Sequence, residues 1–240
     1  MVLFLGWEGW LDGITASLIV FSSVIFGLFS LYKSIKLKAK LLTIAGIIMI
    51  FVGFLWLGPT TDFFLKSITT FNLNPVVIYV FLSYTWVAPA LFFSMWLGGE
   101  IMIPKYKWLL VGIFVVLGGI FEFFLWTDPL PPTGSFGFIG VRPTTPDGII
   151  DADFNRGHIT FIMVAVFLVS ALVFLGIGML VKAKQATGTL RKKFIYLAIG
   201  FIIFVVCAAF DSIIPIPLVI GIVRVVMATF AVWMYLGLKT

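Results

Sequence analysis

Apolar residues come in seven long runs, which shorter polar or charged stretches separate. A transmembrane helix needs about 20 predominantly apolar residues, with a range of about 17–25. Every run is long enough to meet that requirement. The runs are Gly13–Tyr32, Leu41–Leu57, Pro75–Ile103, Tyr106–Trp126, His158–Val181, Phe194–Ile213 and Pro217–Leu238.

The runs predict helices rather than strands. Only helices and closed barrels satisfy every backbone hydrogen-bonding group in lipid. The strands of a barrel would alternate apolar and polar residues over segments of about ten residues, whereas these runs are continuous. We therefore expect an all-α integral membrane protein, with residues 1–240 forming a single bundle of seven transmembrane helices.

Composition supports a membrane protein and excludes a soluble domain. Hydrophobic residues make up 62% of the chain, charged residues 11%, and mean hydropathy is +1.20. Soluble domains are about 45–50% apolar and about 25% charged. Cys207 is the only cysteine, which excludes an intrachain disulfide and a cysteine-based metal centre. The N-terminus has no basic region, so we expect no cleavable signal peptide and a first span that is retained.

Basic residues concentrate in every second connection between the runs. Twelve of the sixteen lie after the first, third, fifth and seventh runs. The opposite connections contain only Lys66, Arg142 and Arg156. Cytoplasmic loops carry the excess of basic residues, so the N-terminus is predicted to lie outside a cell membrane and the C-terminus in the cytoplasm. Seven of the ten acidic residues, Asp12 among them, are then expected outside.

Arg224 lies in the interior of the last run. It follows Pro217 by seven residues, about 10 Å along a helix. A charge inside the hydrocarbon core is costly and is usually paired. Glu122 and Asp211 lie at a similar depth on other runs, so either could bind the guanidinium bidentately. Three interpretations stay open: a structural ion pair, a pocket that binds a ligand or senses protons, and part of a conduction path.

The third run contains the most polar mid-membrane segment, which includes Ser83, Tyr84, Thr85 and Trp86. Pro89 follows, and a proline inside a helix removes one hydrogen bond and clashes with the carbonyl four residues earlier. We therefore predict a kink. The kinked helix serves either for packing alone or to open a ligand pocket beside Tyr84 and Trp86.

The connection 127–157, between the fourth and fifth spans, is the only long one, and its prolines exclude a helix. Apolar residues on both sides of a turn predict a short extracellular β-hairpin that folds over the outer mouth of the bundle. These residues are Phe136, Phe138, Val141, the turn Pro143–Gly148, Ile149 and Ile150.

No pattern supports catalysis or a cofactor. Asp151, Asp153 and Asn155 have the spacing that begins a calcium loop, but that loop needs Gly at its sixth position and Glu at its twelfth. Arg156 and Ile162 occupy those positions. We therefore expect no enzyme and no cofactor. The expected partners are a lipid bilayer and a membrane or cytoplasmic protein, and no nucleic acid.

Several features resemble the seven-helix membrane sensor region that precedes the kinase domain of some prokaryotic histidine kinases. They are the short connections, the basic start Arg191–Tyr196 of the sixth span, Asp211 near its other end, and the final pair of helices with a short loop. The resemblance covers the whole chain and implies a sensor. Because the sequence contains no kinase, PAS or cyclase domain, the output of such a sensor would need a separate partner.

Three functions follow, each with a structural feature that would favour it. A receptor-like sensory module would have a polar cavity that reaches from the outer loop toward Arg224. A structural or accessory subunit of a larger membrane complex would be tightly packed, without a cavity. A small-solute transporter or pore would have a water path that reaches the cytoplasmic side. We rank the sensory module first.

Overall fold

The computed structural model describes residues 5–130, 139–141, 147–150 and 152–238. Within those ranges the chain is mostly helical. The α-helices are α1 Trp7–Leu37, α2 Lys40–Phe54, α3 Leu57–Thr69, α4 Val77–Tyr84, α5 Val87–Met102, α6 Lys107–Thr127, α7 Ile159–Ala171, α8 Gly178–Gln185, α9 Gly188–Ile213, α10 Pro217–Ala228 and α11 Phe230–Leu238. A 3₁₀ turn, Pro104–Tyr106, precedes α6, and a π-helical segment, Leu172–Ile177, joins α7 to α8.

Six helices in the described ranges are long and apolar enough to cross a membrane. Three of them combine shorter elements: α4 with α5, α7 with α8, and α10 with α11. The pair α2 and α3 is a seventh candidate, bent by 50° at its break. We expected the second span to end at Leu57, but helical structure continues to Thr69. Pro59 explains the bend, because its ring would clash with the carbonyl of Leu55 in a continuous helix.

The third span is interrupted at Thr85 and Trp86, between α4 and α5. Pro89 lies in the first turn of α5, and its ring would clash with the carbonyl of Thr85 in an unbroken helix. The interruption therefore lies at the position that the sequence indicated. It places Tyr84 at the end of α4, where the side chain faces the interior of the bundle.

The long connection between α6 and α7 contains two short strands. The strand β1, Ile139–Val141, pairs antiparallel with β2, Ala152–Phe154, and Gly140 lies opposite Asp153. We expected Ile149 and Ile150 in the second strand, but they precede β2 and are buried, at 6% and 2% exposed. The remaining predicted positions of the hairpin, Phe136, Phe138 and most of its turn, lie outside the described residues.

The described helices pack around two core clusters. The first cluster joins α1, α2, α8, α9, α10 and α11 with parts of α5 and of the π-helical segment, and contains fully buried residues such as Ala16, Ile48 and Met227. The second joins α4, α5, α6 and α7 and contains Met95 and Phe121. We call the end of the bundle near residues 147–154 the loop end, and the opposite end, with most of the lysines, the basic end.

Candidate functional site

Arg224 is bound by two carboxylates near the loop end. Its Nε–H donates a hydrogen bond of 2.7 Å to Oδ1 of Asp211, and its Nη1 donates to Oδ1 of Asp12. The three side chains belong to α10, α9 and α1, and are 12%, 14% and 26% exposed respectively. Charges this far out of water are stable together because each carboxylate compensates the guanidinium that would otherwise be isolated.

Local chain geometry brings Arg224 and Asp211 together. Asp211 lies two residues before the end of α9 at Ile213. Pro217 occupies the first position of α10, where the missing N–H costs no helical hydrogen bond. Only residues 214–216 separate the two helices. The chain therefore reverses within a few residues, and side chains about two turns or less from the reversal can meet.

Asp12 is the partner that the sequence prediction missed. We placed Asp12 outside because the first apolar run was taken to begin at Gly13. The helix begins at Trp7, so Asp12 lies five residues, about 8 Å, inside it. Trp7 and Trp10 could have indicated this, because tryptophan is enriched at membrane interfaces. A span boundary at these residues would have placed Asp12 inside the first span.

A cavity of about 180 Å³ adjoins the ion pair. It is lined by residues from α1, the α2–α3 bend, α4, α5, α7, α9 and α10, and by β2 at the loop end. Among the described residues, its charged lining consists of three carboxylates and one guanidinium, from Asp12, Asp153, Asp211 and Arg224. The cavity thus reaches from the outer connection to the charged group on the last span.

The strand β2 forms the wall of the cavity at the loop end. Ala152, Asp153 and Phe154 all line the cavity, and the ring of Phe154 lies 4.9 Å from that of Tyr84 between centroids. In the sequence, Asp153 stood out only in the incomplete match to a calcium loop. The structure places it instead in a strand that faces the interior, so the outer connection contributes directly to the site.

A second polar network fixes this connection to the bundle. Asp62, which is 0% exposed, accepts hydrogen bonds from the backbone N–H groups of Leu73, at 2.6 Å, and Ile150, at 2.7 Å. Lys66, one turn later in α3 and 2% exposed, donates to the carbonyl of Gly148 and, at 2.8 Å, to Oδ1 of Asn72. These bonds hold residues 148–150 against α3 next to β2.

Sequence reasoning also missed that network. Asp62 and Lys66 were assigned to an outer loop, where charged residues are ordinarily solvated. Their spacing of four residues was the available signal, because residues four apart lie on the same face of a helix. The network also explains why Ile150 is not in a strand, since its N–H already donates to Asp62.

Of the five residues that the sequence singled out, the structure brings three to the cavity: Arg224, Asp211 and Tyr84. Glu122 and Trp86 do not line it in the part of the chain that the structure describes. Oε2 of Glu122 accepts a hydrogen bond from Nε1 of Trp126 on the same helix, at 3.2 Å. Depth alone suggested Glu122 as the partner of Arg224, but the structure pairs Arg224 with Asp12 and Asp211.

Trp86 packs among aromatic residues on the other side of its helix. Its ring is stacked on Phe51 at 5.7 Å and lies edge-on to Phe54 at 4.8 Å. Both phenylalanines belong to α2, so Trp86 fills the contact between the third span and the second. In this position the indole packs against the second span, whereas Tyr84 of the same segment lines the cavity.

Two further polar residues have partners within the fold. His158 caps α7, because its Nδ1 accepts a hydrogen bond from the N–H of Thr160. Glu100 pairs with Lys107 at the basic end, at 2.5 Å. No group of three or more His, Cys, Asp or Glu side chains that could hold a metal ion occurs within the described ranges.

By the length and composition of its helices, the chain has the character of a multi-pass membrane protein, with a partly polar cavity enclosed near one end. No protein-family model, no curated protein and no solved structure matches it. The site is therefore interpreted from its own geometry.

Proposed function

We propose that this protein is a receptor-like sensory module of the cell membrane, with seven spans, that binds a ligand in the cavity and signals through a separate protein partner. The observation that carries this proposal is the cavity itself, which connects the outer connection, through β2, with Arg224. A receptor needs such a cavity, whereas an accessory subunit would be packed without one. The seventh span is the bent pair of α2 and α3.

The proposed orientation has the loop end outside. The connections at the basic end contain Lys33–Lys40, Lys105–Lys107 and Lys182–Lys193, and the positive-inside rule assigns such connections to the cytoplasm. A ligand would then reach the cavity from outside, past residues 147–154. The basic end would face the cytoplasm, where a signalling partner would have to bind.

The position of the cavity between the two core clusters supports a sensory role. Phe204 and Ala208 of the first cluster and Leu91 and Phe167 of the second all line it. A ligand there would contact both clusters at once. A ligand shifts a conformational equilibrium only by its difference in affinity for the two states. A ligand that contacts both clusters would acquire such a difference if the clusters shift relative to each other.

The packing beneath the cavity favours a receptor over a transporter. The lining extends toward the basic end as far as Ser94 and Ala171. Further toward the basic end, Leu97, Leu175 and Met179 are all 3% exposed or less and belong to the first core cluster. In the described residues, this apolar layer separates the cavity from the basic end.

The test is capture of a small molecule by the protein purified from its native membrane. Wild-type protein is compared with Ala171→Phe, which fills the cavity, and with Ala165→Phe, the same substitution at an exposed position of the same helix. Mass spectrometry of the released small molecules should find a compound with the wild type and Ala165→Phe but not with Ala171→Phe. Equal recovery from all three proteins would reject a ligand in the cavity.

A further inference from the structure

We infer that the seam between α1 and α11 at the basic end binds the headgroup of an anionic phospholipid. Lys33 and Lys36 of α1 and Tyr235 of α11 form this site, which we call the α1–α11 seam. It lies at the other end of the bundle from β2 and the ion pair of Arg224. The inference therefore does not depend on the proposed function.

Tyr235 is held against α1 by two phenylalanines and one lysine. The centroid of its ring lies 5.4 Å from that of Phe26 and 6.3 Å from that of Phe29. Nζ of Lys33 lies over the same ring, 5.0 Å from its centroid. The face of an aromatic ring attracts an ammonium group in this position. The contact therefore places a positive charge at the junction of the two helices.

The positive charge at the seam is not compensated by an acid. Neither Lys33 nor Lys36 has a carboxylate partner among the described residues. Glu100 is the only acidic residue in or beside the connections at the basic end, and it is paired with Lys107. Residues three apart are neighbours on a helix surface, so the two ammonium groups of the seam repel each other. An anion beside them would stabilise both.

The seam lies at the depth of the lipid headgroups. The helix α1 contains 31 residues and is therefore about 46 Å long. The hydrocarbon core of a bilayer is about 30 Å thick, and the headgroup regions extend it to about 40–45 Å. The first apolar run ends at Tyr32, directly before Lys33, so the two lysines follow where hydrocarbon ends. The phosphate groups of the bilayer occupy this layer.

An apolar surface continues from the seam toward the centre of the bilayer. Ile25, Phe29 and Lys33 are four residues apart and form one row along α1. Phe29 and Ile25 are exposed, and so is Leu236, which follows Tyr235 on α11. An acyl chain would pack along this row while its headgroup binds the lysines. A soluble acidic peptide would contact the ammonium groups alone, so the apolar row favours a lipid.

The test measures which phospholipid the full chain retains in detergent. The protein is mixed with equal amounts of phosphatidylglycerol, which is anionic, and phosphatidylcholine, which is not, both with the same acyl chains. Bound lipid is then measured by native mass spectrometry. Each lysine near the bilayer surface favours an anionic lipid about fivefold, so wild-type protein should retain phosphatidylglycerol at least about tenfold over phosphatidylcholine. Equal retention of the two lipids would overturn the inference.

Two double variants locate the bound lipid. Lys33→Gln with Lys36→Gln removes the charges of the seam, and Lys182→Gln with Lys184→Gln removes two charges from the last turn of α8 at the same end. Each pair contains one half-buried and one exposed lysine, so the controls are matched. The first variant should lower the preference for phosphatidylglycerol at least about fivefold and the second less than about twofold. An equal loss in both would show that only the overall charge of the basic end matters, and would contradict a site at the seam.

Two soluble competitors distinguish a lipid from other anions. Inorganic phosphate and a polyglutamate peptide supply negative charge without an acyl chain. Neither should displace phosphatidylglycerol from wild-type protein at millimolar concentration, because the acyl chain keeps its contacts with Phe29 and Ile25. Displacement by phosphate would assign the seam to a free anion, and displacement by polyglutamate would assign it to an acidic protein. Either result would overturn the assignment to a lipid.

Discussion

Replacing Arg224 by leucine should destabilise the protein strongly, because it leaves two carboxylates without their cation. Asp12 and Asp211 both accept hydrogen bonds from the guanidinium, and both approach the same point in the bundle. In Arg224→Leu they would lose those bonds and would repel each other. The added leucine methyl groups would do little to offset this, since Arg224 already packs its aliphatic stem in the same place.

The magnitude follows from the burial of the three side chains. Removing one member of a buried ion pair costs about 3–5 kcal/mol. Arg224, Asp211 and Asp12 are 12%, 14% and 26% exposed, so some screening remains and the lower value, about 3 kcal/mol, is appropriate. In a domain of 150–250 residues each kcal/mol shifts Tm by about 2–4 °C, so we expect a decrease of about 6–12 °C.

The chain contains its own reporter for this measurement. Cys207 is the only cysteine and is 7% exposed, so a thiol-reactive fluorophore will label it as the bundle opens. Thermal unfolding in detergent is followed by the fluorescence of the labelled thiol. Arg156→Leu is the matched control, because Arg156 is exposed and donates only to the carbonyl of Ile213, at 3.2 Å, among the described contacts. Its Tm should change by no more than about 2 °C.

A charge-free variant distinguishes loss of pairing from loss of packing. Replacing an entire buried ion group by apolar residues is often neutral or stabilising, so adding Asp12→Leu and Asp211→Leu to Arg224→Leu should recover at least half of the lost Tm. A wild-type Tm in Arg224→Leu alone would refute the argument that the guanidinium compensates buried carboxylates. A further decrease in the triple variant would show that the site is sensitive to shape rather than to charge.

Three further predictions concern packing, the outer connection and orientation. Gly58→Ala would place Cβ 2.1 Å from Oγ of Ser83 and should cost about 1–3 kcal/mol in detergent unfolding, whereas Gly112→Ala, with nothing within 4 Å, should be neutral or slightly stabilising. Lys66→Met should speed proteolysis of the connection 127–157, because the bonds that hold it to α3 are lost, and an unchanged cleavage rate relative to the control Lys184→Met would contradict this. A phosphatase reporter fused to the C-terminus should be inactive and a fluorescent protein fused there should be bright, and the opposite result would reverse the proposed orientation.

The long helices could be predicted from the sequence because lipid imposes a simple requirement on the backbone. Six of the seven apolar runs overlap helices long enough to span, and the last, Pro217–Leu238, has the predicted bounds. The break before Pro89 was also predictable, because proline excludes one specific hydrogen bond. The extension through α3 was not, because Asp62 and Lys66 lower the hydropathy of a helix whose polar groups are satisfied internally.

The site was only partly predictable, because hydropathy gives depth and does not give direction around a helix. Asp211 and Arg224 share a short connection, so their proximity followed from depth and chain length together. Glu122 lies at a similar depth, but α6 packs in the second core cluster and α10 against the first. Asp12 joins Arg224 through a contact between distant parts of the chain, and only the position of Trp7 and Trp10 indicated that it lies within the span.

The π-helical segment Leu172–Ile177 has a consequence for how the two halves of this span face their neighbours. Buried or half-buried residues recur every four positions along it, at Met163, Phe167, Ala171, Leu175, Met179 and Ala183. A regular helix has 3.6 residues per turn, so a spacing of four would rotate this row by about 40° at each step and turn its two ends to different sides. The wider π turn takes up part of that rotation. Deleting one residue from the segment would restore regular winding and point Met179 and Ala183 away from their neighbours, uncoupling the half near the basic end from the half that contacts the cavity.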